Sequence, residues 1–240
     1  MWSSLLPPFR RQGLGTVLLD WCLARIRQRA ALEDPGLPIV VQADSEEQET
    51  GHRALLARAG FMPVRHFFLM RRPTLDDVPD VPMPVGLEVR PVTEEQRRPI
   101  LEAEFEAFED HWGSRERSEE HFTMTLTRAE LDTDLWVVAW DGDQIAGVVE
   151  NWIWPAENAG LGVNRGWLER ISVRRPWRRR GLARALTARS LVRLREAGMD
   201  EGMLGVDSEN AQGALGLYEG LGFEIHSRSA AYRRTLDEAG

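Results

Sequence analysis

Hydrophobic positions in this chain follow two rhythms, and their order along the chain predicts a mixed fold. Alternating or short continuous apolar runs mark strands at "LEVRPV" (87–92), "LWVVAW" (135–140), "IAGVVENWIW" (145–154), "GWLERISV" (166–173), "GMLGVD" (202–207) and "AAYRRTL" (230–236). Spacings of three and four mark helices. Ile100, Leu101, Phe105 and Phe108 form one stripe; Leu182, Ala185, Leu186, Ala188, Leu191 and Leu194 form another, closed by Gly198. Thr93 with Gln96 three residues on has the form of a capping box. A further helix is expected over about 116–131, and "NAQGALGLYEGLGF" (210–223) reads as a helix ending at Gly222. "DGD" between two strand runs signals a hairpin. Strands and helices interleaved in this way predict an α/β or α+β domain, a mixed central sheet flanked by helices.

The first seventy residues run through the same closing steps. Leu14, Val17, Leu18, Trp21 and Ile26 line a helix, "IVVQAD" (39–44) reads as a strand, "HRALLARAGF" (52–61) as a helix and "HFFLM" (66–70) as a strand. Each series starts from a similar device, "FRRQGLGTVLL" at 9–19 and "WRRRGLARALT" at 177–187. Their glycines, Gly13 and Gly181, stand 168 residues apart, so the pattern is a duplication at domain scale. Only twelve residues precede Gly13. The first copy is therefore expected to be the back half of a repeat, with a natural start upstream of Met1 or a half-unit that leans on its neighbour. "RRPTLDDVPDVPMPVG" (71–86) has neither period and reads as a linker. The expected organisation is a partial repeat at 1–72, a linker at 73–86 and a complete domain at 87–240.

Composition narrows the function. The formal net charge is −8, which argues against a general affinity for nucleic acid. The chain has no lysine, and seven of its arginines (Arg170, Arg174, Arg175, Arg178, Arg179, Arg180, Arg184) fall within fifteen residues that hold no acid. A cationic spot on an acidic protein suggests a small polyanion. Cys22, the one cysteine, sits among apolar residues as a core position, which excludes an internal disulfide and a cysteine-ligated metal. His111 and His121 read as polar-face helix residues, and no metal-ligand spacing is present. No apolar run is long enough to span a membrane, and the N-terminus lacks the form of a signal peptide, so a cytoplasmic protein is expected, with neither membrane nor nucleic acid as partner.

A strand entering an arginine-rich turn, then a glycine, then a helix start, has the makings of a phosphate cradle. The first turn of a helix presents unpaired N–H groups and a partial positive charge. Gly181 permits a positive φ and close approach of an oxyanion, Ala183 leaves room, and arginines supply charge-assisted hydrogen bonds. The alternative is a solvated basic turn before an ordinary helix. Neither a Walker loop nor a dinucleotide fingerprint is present.

Arg178-x-x-Gly181-x-Ala183 after a strand, followed by "VDSENAQGALGLYEGLGF", resembles the acyl-CoA pyrophosphate loop and second conserved block of the GNAT N-acetyltransferase superfamily. The resemblance covers about 86–236 as a whole domain and about 8–72 as a back half, a layout similar to that of tandem acetyltransferases. It implies the GNAT fold and acetyl-CoA, or a related acyl-CoA, as co-substrate. Ile171, Ser172 and Val173 would offer backbone groups to the pantetheine arm, and Arg178, Arg179, Arg180, Gly181, Leu182, Ala183 and Arg184 would hold the pyrophosphate. Asn210 would contact the pantetheine, or serve only as a helix N-cap. Tyr218 would protonate the departing thiolate, a nearly matched transfer between a phenol of pKa about 10 and a thiol of about 8.5. Its alternative is a core aromatic.

The implied reaction is direct transfer to a primary amine, which must lose a proton. Glu169 is the candidate base; strand alternation places it with Ile171 and Val173, and a surface salt bridge is its alternative. Relatives carry their strand carboxylate about two residues earlier, where this chain has Trp167, and Glu150 is a second candidate. Trp152 and Trp154 line an acceptor pocket or pack in the core. The first copy keeps Arg10, Gly13 and Gly15 but has Glu47 and Leu56 in place of Asn210 and Tyr218, so it is expected to be catalytically silent. A non-catalytic acyl-CoA-binding module is the other reading of the whole chain. Neither the acceptor, beyond a small-molecule or peptide amine, nor the oligomeric state can be read from these residues.

Overall fold

The computed structural model of the chain describes residues 5–33, 38–114, 118–209 and 213–236. They gather into two compact units that do not follow the chain as two consecutive pieces. One unit takes the chain up to Phe68 together with Asp207–Glu209 and the segment from Ser227 onward; the other takes Leu69–Val206 and Asn210–His226.

The first unit is built from α1 (Leu14–Glu33), β1 (Ile39–Glu46), α2 (Thr50–Arg58), the start of β2 (Met62–Arg72) and most of the last strand of the chain. That strand pairs antiparallel with β1 from Ile39–Leu236 to Glu46–Ser229. Leu23, Leu56, Phe61, Ala230, Tyr232 and Leu236 form the unit's core. Arg53 donates to the Tyr232 hydroxyl at 3.1 Å, and Arg234 donates to the carbonyl of Ala59 at 2.6 Å. The apolar stripe expected on α1 is real as a pattern, but Leu14, Val17, Leu18 and Trp21 stand exposed.

The second unit contains β3 (Glu88–Arg90), α3 (Glu94–Phe108), α4 (Glu119–Leu126), β4 (Val137–Asp141), β5 (Gln144–Ile153), α5 (Pro155–Leu161), β6 (Arg165–Val173), α6 (Leu182–Glu196), β7 (Glu201–Asp207) and α7 (Ala214–Glu219), with β8 (Glu224–Leu236) leaving it after His226. Hydrogen-bonded neighbours run β7-β6-β5-β4-β3, all antiparallel except β6 with β7. The Thr93–Gln96 capping box opens α3 as expected. α3 and α4 cover one face of the sheet, placing Ile100, Leu101 and Phe122 against Trp136, Val138, Trp140 and Val148. α6 covers the other face and buries Leu182, Leu186, Leu191 and Leu194. It lies so close to β6 that a Cβ at Gly166 would stand 2.5 Å from a Leu194 methyl.

Two features go beyond the expected layout. α5 was not expected, although Pro155 at its first position and Gly162 beyond its end, at φ 66°, are ordinary helix punctuation. The segment after β2 has no regular structure until β3, yet it is pinned rather than loose. Leu75 is buried near Gly202, Arg195 donates to its carbonyl at 3.4 Å, and Arg72 pairs with Asp77 at 2.6 Å. Among the described residues, no helix is long and apolar enough to cross a membrane.

Candidate functional site

The parallel pairing of β6 and β7 ends at Trp167–Met203, yet β6 runs on to Val173 and β7 to Asp207. Beyond that point the strands diverge. From Leu168 to Val173 the backbone of β6 is paired with β5 on one side only, and its other edge faces the gap. Ile171 and Val173 are half-buried, and Ser172 is buried, its hydroxyl donating to the carbonyl of Val148 at 3.4 Å. A splayed strand edge offers N–H and C=O groups to an extended ligand without breaking the sheet, because those groups have no ladder partner to lose.

The gap leads to the loop before α6. Arg179 and Gly181 both take positive φ, 58° and 82°. A Cβ on Gly181 would meet nothing within 4 Å, so what glycine supplies here is the left-handed turn. Such a turn at a helix start aims successive N–H groups to one side, a nest for an anion.

The arginines divide into two groups. Arg174 bonds Glu106 at 2.9 Å, Arg175 bonds Asp110, and Arg178 bonds Asp110 at 3.3 Å and the carbonyls of Val173 and Ala107 at 3.0 and 2.8 Å. These three brace the loop against α3 and the turn after it, and the Arg175 bond holds the Asp110 carboxyl below the usual range. The Arg178 guanidinium is thus turned inward onto Asp110 and the two carbonyls. Arg179, Arg180 and Arg184 have no acidic partner among the described residues. Leu182 is buried, so only its backbone serves the cradle, and Ala183 is half-buried. Arg184 donates to the carbonyl of Gly220 at 3.1 Å, tying the first turn of α6 to the end of α7.

α7 carries Tyr218, buried and packed edge-on against Phe223 with ring centroids 6.0 Å apart. Burial pushes its phenol well above the ordinary value. Tyr218 is therefore held as a protonated hydroxyl, able to donate. Asn210 lies outside the described residues.

Glu169 does not lie where alternation placed it. Glu150 pairs with Arg170 and Asn151 with Leu168, so Glu169 is the extra residue of a β-bulge. The bulge breaks the alternation that would have set Glu169 beside Ile171 and Val173. Its carboxylate instead lies in the field of Arg170, Arg128 and Glu157 and takes a hydrogen bond from Trp154. Trp154 stacks on Trp152 at 5.3 Å and 8°, and Arg128 lies over Trp152 at 5.8 Å. Desolvation by this wall raises the Glu169 pKa; Arg170 opposes the rise most, followed by a hydrogen bond from Trp154. Glu169 is an exposed residue overall, so solvent tempers the shift.

One residue escaped the sequence reading. Glu104 on α3 is fully buried and pairs with Arg170 at 3.5 Å. Its signal was present: it shares the apolar stripe of Ile100, Leu101 and Phe108, where a charge is out of place. The clefts elsewhere hold none of the residues above. One of about 510 Å³ is lined by Ile153, Asn158 and Met199, and another of about 220 Å³ by Val89, Thr133 and Trp136. Among the described residues, no three of His, Cys, Asp and Glu are grouped to hold a metal ion.

A splayed strand pair, a glycine-hinged anion nest and a helix packed beneath them belong to an α/β fold of the acyltransferase class. The profile of the acetyltransferase (GNAT) family matches residues 98–223. The mycothiol acetyltransferase of Salinispora arenicola is 31% identical over 234 residues, covering 95% of this chain and 71% of its own. That of Thermobifida fusca is 29% identical over 253 residues, covering 98% and 74%. Among solved structures, a GCN5-related N-acetyltransferase from Sphaerobacter thermophilus superposes with a TM-score of 0.78 at 30% identity, covering 95% of this chain and 70% of that one. A tandem GNAT protein from the clavulanic acid biosynthesis pathway shares the fold at a TM-score of 0.67 and 18% identity, covering 99% and 74%. The chain belongs to the GNAT family of acetyltransferases, and its reaction is acetyl transfer to an amine.

Proposed function

We propose that the chain is an acetyl-CoA-dependent N-acetyltransferase acting on the primary amine of a small molecule, with its chemistry confined to residues 87–240. Residues 1–72 form a partial repeat without catalytic groups, joined through 73–86. The observation that carries this reading is the divergence of β6 from β7 past Trp167–Met203, leading to the Gly181 turn. The residues present fit the co-substrate. The free edge of β6 at Ile171, Ser172 and Val173 suits the amides of a pantetheine arm, and the amides from Gly181 to Ala183, with Arg179, Arg180 and Arg184, suit a diphosphate. Arg178 serves as a brace for the loop.

The co-substrate supplies an acetyl thioester, which a neutral amine attacks at the carbonyl carbon. Glu169 accepts the proton of the incoming ammonium, directly or through water. Its raised pKa makes it a better base, and its open face admits the acceptor. The β6 amides that lack a ladder partner stabilise the developing oxyanion. Tyr218 then donates its O–H to the departing thiolate. Because its pKa is raised, this donation is stronger as a hydrogen bond than as a full transfer, and solvent completes the protonation. No covalent enzyme intermediate is needed.

The relatives' name makes the precursor amine of mycothiol the first acceptor to assay. The test is a panel of that amine, glucosamine, spermidine and a dipeptide, each incubated with acetyl-CoA and read by mass spectrometry. The expected result is acetylation of one class of amine, lost in Tyr218→Phe and Glu169→Gln with coenzyme A binding intact. Coenzyme A binding without turnover on any amine would instead make the chain an acyl-CoA-binding module.

A further inference from the structure

Three carboxylates and one guanidinium meet where β6 bulges. Glu150 lies directly across the strand pair from Arg170, so the two side chains project from the same face of the sheet, and both belong to the face that α3 covers. From α3, Glu104 reaches the Arg170 guanidinium at 3.5 Å, and the Phe108 ring lies 5.4 Å from its central carbon. Glu104 is wholly buried and Glu150 nearly so, whereas Arg170 keeps about a third of its side chain, 37%, in solvent. The next residue along the bulge is Glu169.

We propose that Glu104 is a positioning residue for Glu169: by engaging Arg170 from α3, it offsets the pull of the guanidinium on Glu169 and so sets the charge state of that carboxylate. The proposal deepens the reading of Glu169 as base and rests on it. The reasoning is electrostatic. A free guanidinium adjoining Glu169 holds the carboxylate ionised and makes it a poor proton acceptor. An arginine already engaged by a buried carboxylate exerts less of that pull, and the second negative charge opposes ionisation of Glu169 directly. Burial makes Glu104 effective, because a carboxylate on the dry side of the pair is screened little. The groups facing Glu169 are Arg170 on its own strand, Trp154 before α5, Glu157 within it and Arg128 beyond α4; those facing Arg170 are Glu104 and Phe108 from α3 and Glu150 from β5.

The structure supplies a reporter that needs no acceptor. The Trp154 indole N–H bonds Glu169, so its resonance in a ¹⁵N-labelled sample moves as Glu169 titrates. Trp154→Phe assigns the peak, and Glu169→Gln abolishes its pH dependence. Glu104→Gln is expected to lower the midpoint by roughly half a unit or more, and Arg170→Gln to raise it by a similar amount. The ascending limb of kcat/KM for the acetylated amine should move the same way in each variant. A purely structural role predicts no such opposition of sign. Midpoints that stay put in both variants, or move together, overturn the proposal. If Glu104→Gln does not fold, Glu104→Met removes the charge at similar length without burying an amide, and a midpoint that fails to fall overturns it. The base reading fails separately, if Glu169→Gln keeps full turnover and an unchanged limb.

Discussion

The same arginine-glycine device occurs twice, and its two copies share a backbone but not an environment. Arg11 and Gly13 have φ of 63° and 83°; Arg179 and Gly181 have 58° and 82°. The helices that follow part company. Leu182, Ala185 and Leu186 on α6 are 1%, 0% and 0% exposed, whereas the equivalent Leu14, Val17 and Leu18 on α1 are 39%, 64% and 37% exposed. The turn is a local property, dictated by glycine and its neighbours. The burial of the helix is a tertiary one, supplied in the second unit by β4, β5 and β6. A phosphate nest can be inherited with a dozen residues; the catalytic site proposed above also needs the splayed strand, the bulge and Tyr218, which among the described residues belong to the second unit.

The largest effect should separate the units by chemistry. Tyr218→Phe is expected to lower kcat by about 100-fold or more while leaving the KM for acetyl-CoA unchanged. Leu56 holds the matching position in the first unit, and the volume-conserving Leu56→Met should leave kcat where it was. Steady-state kinetics on both variants test the pair, and a comparable fall in Leu56→Met would end the view that the first unit is silent. Next comes packing. Leu186→Ala removes a fully buried side chain and should cost about 2–5 kcal/mol in urea unfolding. Leu18→Ala removes one that already meets solvent and should cost under about 1 kcal/mol. Equal costs would mean that the α1 face is covered in solution.

A finer comparison isolates the turn. Neither Gly13 nor Gly181 has an atom within 4 Å of where a Cβ would sit, so alanine at either meets only the strain of the left-handed region. Gly13→Ala and Gly181→Ala should therefore lose similar stability, about 1–2 kcal/mol. They should differ in function: only Gly181→Ala is expected to raise the KM for acetyl-CoA. Isothermal titration with coenzyme A gives the same answer without an acceptor, and weakened binding in Gly13→Ala would show that the first turn also holds ligand.

What the sequence disclosed follows the same division between local and tertiary. Elements whose signals lie within a few residues were legible: the Thr93–Gln96 cap, the hairpin around Gly142, the helix from Leu182 and the loop glycines. α5 is marked only by Pro155 and Gly162, because seven residues between strands show no periodicity to compete with their flanks. The site was less so. The chemistry of Glu169 is legible in the sequence but its place on the strand is not, since a bulge is a property of two strands together. Arg178 matched a motif, yet carbonyls of Val173 and Ala107, far apart in sequence, turn it inward. The burial that shifts Tyr218, and the partner that engages Arg170 from α3, likewise depend on contacts that no window of the chain contains.

The smallest effect concerns acid stability, and it sets a buried carboxylate against an open one. Glu201 in the second unit meets burial, which raises its pKa, but bonds from Arg165 at 2.6 Å and Arg71 at 2.7 Å outweigh it, and the net shift is downward. Glu49 in the first unit is also lowered, chiefly by the backbone N–H of Glu46 at 2.9 Å, with help from Ser45 and His52. A carboxyl whose folded pKa lies below its unfolded value stabilises the fold above the unfolded pKa, and that stability drains away as pH falls through the folded value. Both units should therefore weaken below about pH 4.5. The Glu201 side chain is 6% exposed and that of Glu49 51%, so solvent screens the second far more. Urea midpoints measured from pH 7 to pH 3 should flatten clearly in Glu201→Gln and barely in Glu49→Gln. A steeper flattening in Glu49→Gln would mean that acid opens the first unit before the second, and that its exposed helix marks the weaker half of the fold.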